Sequence, residues 1–322
     1  MECMIVSDRA TATVPDSRRA APIVLGQGDT VRVAVRRIVA TIHDHLAANL
    51  PVAIDGRNAE GVHQVRVALR RFRALAGLLR RDTPNVVLEG ASAHARSLAG
   101  AVGDARNWDV FLLTTVPGLA ALTQVDVDVA GVVTPLAQPL RHAAYGQVQS
   151  VLGGEEARQF LRLLGQMGDG DVWLASLSAA GQETLEEPAI DFAVRHLTRL
   201  HRKALRKGRD FALLTPKERH EVRLVLKKLR YTAEFFNALH MPGGKAKPYI
   251  RRLAALQDVL GMDSDVLTTR SLLARLGEHG GDALQHTVGA VTGFLCCRQL
   301  GVHGTAHKKW RKFCRRPVFW QP

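Results

Sequence analysis

Aromatic side chains are scarce in this chain: Phe, Tyr and Trp together make up 5% of its 322 residues. Single-stranded nucleic acid is usually held by stacking on such rings, so the shortage weighs against that ligand. Cysteine is rarer still, limited to Cys3, Cys296, Cys297 and Cys314. They show no CxxC pair and no zinc-like spacing, and adjacent Cys296 and Cys297 are poorly placed to bridge each other. All four therefore read as reduced thiols, and the chain as cytoplasmic. No apolar run reaches the roughly 18 residues of a membrane span. The nearest, from Phe111, is interrupted by Pro117, Asp126 and Asp128. Membrane insertion is not expected. Nor is a secretory signal, because Glu2, Asp8 and Arg9 precede any apolar run.

What the chain has in excess is positive charge. Against 30 Asp and Glu stand 44 Lys and Arg, a net charge of +14. That favours an anionic partner: nucleic acid, a phosphate polymer or an acidic membrane surface. Apolar residues, at 46%, suffice for a core and exclude a mainly disordered chain. The charge is localised. Residues 63–81 hold six Arg and no acid, and residues 195–230 hold 13 Lys and Arg with three acids. Those two segments exceed the whole net charge, so the rest of the chain is slightly acidic. Residues 119–190 are acidic, with three Arg and nine Asp and Glu, and read as a solvated connector.

Apolar periodicity predicts helices near 30–50, 61–81, 86–101, 106–116, 189–209, 216–239, 246–260, 264–278 and 281–299. Asp29 or Thr30 is the expected first N-cap, and Pro51 the expected stop. Glycine-rich breaks fall at 153–154, 165–170 and 243–244. Val-rich residues 124–133 have strand character but no partner strand. The fold class is all-α, in helical bundles.

The two basic segments repeat one motif. His63, Arg66, Arg70, Arg71 and Arg73 recur as His220, Arg223, Lys227, Lys228 and Arg230, with matching apolar residues between them. A glycine-centred element follows each copy, at Gly103 and at Gly261. The offset is 157 residues for the histidines and 158 for the glycines. Such register implies an internal duplication, hence two pseudo-symmetric bundles. The expected organisation is a mobile leader over 1–28, a first bundle over 29–150, a connector over 151–188 and a second bundle over 189–322.

On a helical wheel at about 100° per residue, His63, Arg66, Arg70 and Arg73 share one arc. Val65, Leu69, Phe72, Ala76 and Leu79 share another, which must face a core. The cationic arc continues to Arg80 and Arg81, over roughly 27 Å. His220, Arg223, Lys227 and Arg230 form the second such stripe, with Glu234 in its arc. Arg195, Arg199, Arg202, Arg206 and Arg209 form a third. Like charges at these spacings repel by a few tenths of a kcal/mol per pair. A merely solvated face mixes signs; these stripes hold almost no acids and suit an extended, regularly charged anion. Counterion release would then supply much of the affinity, and Arg would offer bidentate geometry to phosphate.

His63 and His220 border the stripes, where a bound polyanion would favour the charged imidazole. Asp109, Asp258 and Asp265 read as partners of the motif arginines or as helix caps, rather than as catalytic carboxylates. No metal-ligand cluster is evident, and no cofactor is expected. The C-terminal run Lys308, Lys309, Arg311, Lys312, Arg315 and Arg316 reads equally as an extension of the anion path or as a solvated helix.

These blocks resemble the signature of CHAD domains, the conserved histidine α-helical domains. So does Glu234 after Tyr231, and the element from Leu256 to Asp265 that includes Asp258 and Gly261 is similar to the family's second glycine–aspartate element. Trp310 and the closing Pro317-Val318-Phe319-Trp320 resemble a common ending of its members. The likeness runs over about residues 23–320. Two departures stand out: Asn107 follows Arg106 where the family usually has Asp, and Ser264 lies between two aspartates where it often has Asn. The resemblance implies two four-helix bundles with accessory helices and a basic cavity between them. It implies binding of inorganic polyphosphate and association with polyphosphate granules, and the leading expectation is a binding module without catalysis. It places His63, Arg66, Arg70, Arg73, His220, Arg223, Lys227 and Arg230 at the family's basic positions. The Glu-x-Glu-x-Lys motif of the CYTH domains that often accompany CHAD is absent, so that hydrolase activity is not expected. Nucleic-acid binding ranks second and a metal-dependent phosphohydrolase third.

Overall fold

The computed structural model describes residues 13–120, 128–170, 173–174, 177–239, 241, 245–277 and 281–321. Among them are helices α1 (Val31–Asp55), α2 (Ala59–Leu79), α3 (Val86–Ala101) and α4 (Gly103–Val110). A π-helical turn (Phe111–Thr115) then leads into α5 (Val116–Ala120). Next come α6 (Val129–Leu152), α7 (Glu155–Asp169) and α8 (Ala179–Glu186). The chain continues with α9 (Ala189–Lys207), α10 (Pro216–Phe235), α11 (Ala246–Gly277) and α12 (Asp282–Arg315). The fold is all-α; the described residues contain no strand, only isolated bridge residues such as the pair Thr30 and Pro188.

Local chemistry sets the helix starts. The Thr30 hydroxyl accepts from the Val33 amide, and Asn58 and Asn85 cap α2 and α3 in the same way. At α10 the cap is reciprocal: Thr215 accepts from the Glu218 amide while the Glu218 side chain accepts from the Thr215 amide, with Pro216 next in line. The end of α1 departs from expectation. Pro51 removes one amide donor, yet the helix runs on to Asp55 because Val52 and Ala53 are buried against α2. It stops at Gly56, in the left-handed region with φ 80°.

In the first bundle α1 packs on α2 and α7, and α3 packs on α2 and α7, with α4 to α6 alongside. In the second bundle α10 packs on α9 and α11, and α11 on α12. The end of α12 closes that group. Its Trp310 stacks on Phe211 just beyond α9, with ring centroids 4.8 Å apart. The Phe313 ring lies 5.1 Å from that of His201 on α9. A Cβ at Gly208 would fall 2.2 Å from the Trp310 ring, so this close docking needs glycine. The scarce aromatics are core residues: every Trp and Tyr, and every Phe except the half-buried Phe294, is buried.

Four expectations need correction. Within the segment read as a connector, 151–188, α7 is a bundle helix; Ala157, Phe160, Leu164 and Met167 are buried on one face, and Phe160 meets Phe72 edge-on at 5.3 Å. Its charges occupy the opposite face, which is why net charge alone misread it. Residues 13–28, expected in a mobile leader, lie against the first bundle. Ile23 and Leu25 are buried, and Asn49 bonds Arg18 through both its side-chain oxygen and its amide. The earlier leader residues lie outside the described set. The expected break at 165–170 does not occur before Asp169, and 246–277 is one helix rather than two, because Gly261 packs inside it. Of the Val-rich stretch, 129–133 begins α6 and 128 caps it; 124–127 lie outside the described residues.

Candidate anion-binding site

The two motif helices meet at the boundary between the bundles, where α2 contacts α10. They run antiparallel. Gly77 and Arg81 near the C-terminal end of α2 share a groove with Leu224, Val225 and Lys228, while Arg71 lies over the Phe235 ring near the other end of α10, 5.9 Å from its centroid. Each helix buries its apolar arc, from Val65 to Leu79 and from Val222 to Leu229. The basic arcs are left facing one another, half-buried.

Arg66 and Arg70 of α2 and Arg223, Lys227 and Arg230 of α10 form the centre of this cluster. Lys227 is pushed down to about 8, first by burial and then by Arg223, Arg70 and Arg230, with Asp265 opposing. Arg66 is pushed down to about 10 by burial, Arg70 and Arg106. Burial lowers His63 below the usual imidazole range, aided by Arg106, Arg70 and Arg66 and opposed by Glu60. Arg73 is exposed and adjoins Arg96 of α3 and Arg70. His220 is exposed at the start of α10.

The glycine that follows each motif copy has a physical basis in both halves. A Cβ at Gly103 would lie 3.1 Å from Arg66 Nη1, and one at Gly261 would lie 3.3 Å from Arg223 Nη2. Each arginine tip rests on helix backbone where a side chain would crowd it. Arg66 Nη1 also donates to the Ala99 carbonyl at 3.2 Å, and Arg223 Nη1 to the Ser264 hydroxyl at 3.4 Å. Arg275 near the end of α11 donates twice to Asp104 of α4, tying the first glycine element to the second bundle.

Other residues of the motif go elsewhere, and Arg230 serves a second contact besides the cluster. Arg71 and Arg230 flank Glu234, the latter at 3.3 Å, and tie the seam between α2 and α10. Burial raises the Glu234 carboxyl while those two arginines hold it down. Asp109 does not support a motif arginine. It is fully buried and accepts from Arg141 Nε and Tyr145 OH of α6, each at 2.8 Å, so it fastens α4 to α6. Asp258 is exposed. Lys228 turns to the other flank of α10, where it shares a groove of about 1040 Å³ with Arg195, Arg199, Arg202 and Arg206 of α9. There Arg195 is held by Glu187 at 2.5 and 2.9 Å. Sequence reasoning left Arg96, Arg106 and Lys203 out of the site. Arg106 lies inside the first glycine element, a signal that could have marked it. Arg96 could not be placed without knowing that α3 runs beside α2.

Among the described residues no three His, Cys, Asp or Glu side chains gather as a metal-ligand set, and no helix is long and apolar enough to cross a membrane. Residues 31–274 match the CHAD domain family, and the chain belongs to it. Its fold is similar to the crystal structure of the CHAD domain from the plant Ricinus communis. That likeness has a TM-score of 0.78 at 23% identity and covers 94% of this chain and 98% of that one. It is also similar to PptA from Streptomyces chartreusis, with a TM-score of 0.66 at 14% identity, covering 88% of this chain and 99% of that one. No curated protein matches the chain.

Proposed function

We propose that this CHAD protein binds inorganic polyphosphate without catalysis, through the facing basic arcs of α2 and α10, and that it associates with polyphosphate granules in the cytoplasm. The observation that carries the reading is the half-buried cluster of Arg66, Arg70, Arg223 and Lys227. Burial and neighbouring cations lower Arg66 and Lys227, and Asp265 opposes the shift of Lys227. Such a cluster costs stability in the free protein. A flexible chain carrying a negative charge at every phosphate would relieve that repulsion along its length. The burial of the aromatic residues favours the same ligand over single-stranded nucleic acid, which would want exposed rings.

Reversing charge at Arg66→Glu together with Arg223→Glu is the direct test. The substitutions remove repulsion, so the melting temperature should hold or rise while polyphosphate binding is lost. Wild-type affinity in that variant would refute the reading. Competition at physiological salt should favour polyphosphate over duplex DNA, and incubation with polyphosphate and a divalent metal should release no orthophosphate.

A further inference from the structure

The basic groove between α9, α10 and the C-terminal end of α2 takes none of its cations from the α2–α10 cluster. Lys227 and Lys228 are consecutive, about 100° apart on the helix. Lys227 faces Arg70, Arg223 and Arg230, whereas Lys228 lines the groove, which includes none of those three. The Arg230–Glu234 ion pair, with Arg71 near enough to act on that carboxylate, occupies the seam between the helices.

The groove is also a built site. Its floor is apolar, from Leu200, Leu224 and Val225, so charges above it are less screened than on an open surface. Glu221 is its one acidic lining residue and is bound by Lys207 at 2.5 Å. That leaves Arg202, Lys203, Arg206 and Lys228 around one cavity. Arg199 is aimed by a buried residue. His196, 1% exposed, accepts from Arg199 Nη2 on Nδ1 at 2.7 Å. Arginine can only donate, so the imidazole proton must sit on Nε2, which lies 2.6 Å from Asp82 Oδ2. Burial and Arg199 hold His196 down at about 4, so this neutral tautomer persists at physiological pH. A carboxylate after α2 thus orients, through a buried histidine, an arginine of α9.

We infer that this groove is a second oligophosphate site, filled independently of the α2–α10 cluster, with His196 as a positioning residue for Arg199. The inference rests on the polyphosphate reading, and it makes the domain able to hold two polymer segments on two flanks of α10 about 100° apart. A domain that grips two segments would cross-link chains as well as coat them.

Titration calorimetry with linear tripolyphosphate tests it, because three phosphates are too short to wrap a helix about 10 Å across. The wild type should bind two molecules per chain. Arg202→Gln with Arg206→Gln, both exposed and free to change without unfolding, should leave one. His196→Gln should weaken the groove event alone. One molecule per wild-type chain, or two in the Arg202/Arg206 variant, would overturn the second site while leaving the polyphosphate reading intact; none in that variant would overturn the second site and also the assignment of binding to the α2–α10 arcs. No binding by the wild type would overturn both.

Discussion

Lys227 shows how a single side chain reports on the anion. Its ammonium sits among Arg70, Arg223 and Arg230 and titrates at about 8. A bound polyanion favours the charged form, so the bound value must be higher than the free one. Affinity should therefore be full below about pH 8 and fall as pH rises past it, with proton uptake on binding. Folding has the opposite sign. The native value lies below the unfolded one, near 10.5. Between the two the unfolded chain binds more protons, so stability rises with pH through that window. Binding isotherms and melting curves from pH 7 to 10 should diverge in this way, and Lys227→Gln should remove both trends. Parallel trends would place the titrating group elsewhere. His63 behaves alike at lower pH: burial and its cationic neighbours lower it in the free protein, and bound phosphate should raise it.

At the level of helices, Gly261 links packing to binding. It lies inside α11, where glycine is poorer than alanine by about 0.5–1 kcal/mol. Arg223 Nη2 lies 3.3 Å from where a Cβ would be. Gly261→Ala should leave the melting temperature unchanged or slightly raised while weakening polyphosphate binding a few-fold, because the arginine tip must move. A loss of stability with binding intact would show the glycine to be a packing residue only. The motif helices were legible because their caps, apolar period and cationic arc all agree on 59–79 and 216–235. The helices that escaped notice lacked that agreement. Pro135 and Pro139 lie inside α6, and its opening valines suggested strand. In α7 the apolar residues Ala157, Phe160, Leu164 and Met167 carried a clear helical period, hidden by the acidic character of the whole segment. Asp109 was read as a partner of a motif arginine or a helix cap, but its partners Arg141 and Tyr145 come from that unrecognised α6.

At the scale of the molecule, the sequence located the charge but could not arrange it. Three stripes on a wheel give no sign that α9 lies on one flank of α10 while Arg70 of α2 meets Lys227 on another; only the packing separates them. That arrangement has a consequence in salt. A long polyphosphate engages both flanks, so its affinity should fall steeply and linearly on a log–log plot against salt, the slope counting the cations that lose their counterions. Removing Arg202 and Arg206 by substitution with Gln should make that slope shallower by about 2, as each phosphate-contacting cation contributes about 1. Because the central cluster stays intact, the affinity that remains should still rise with polymer length. An unchanged slope would mean that the long polymer passes the groove by and is held at the bundle boundary alone.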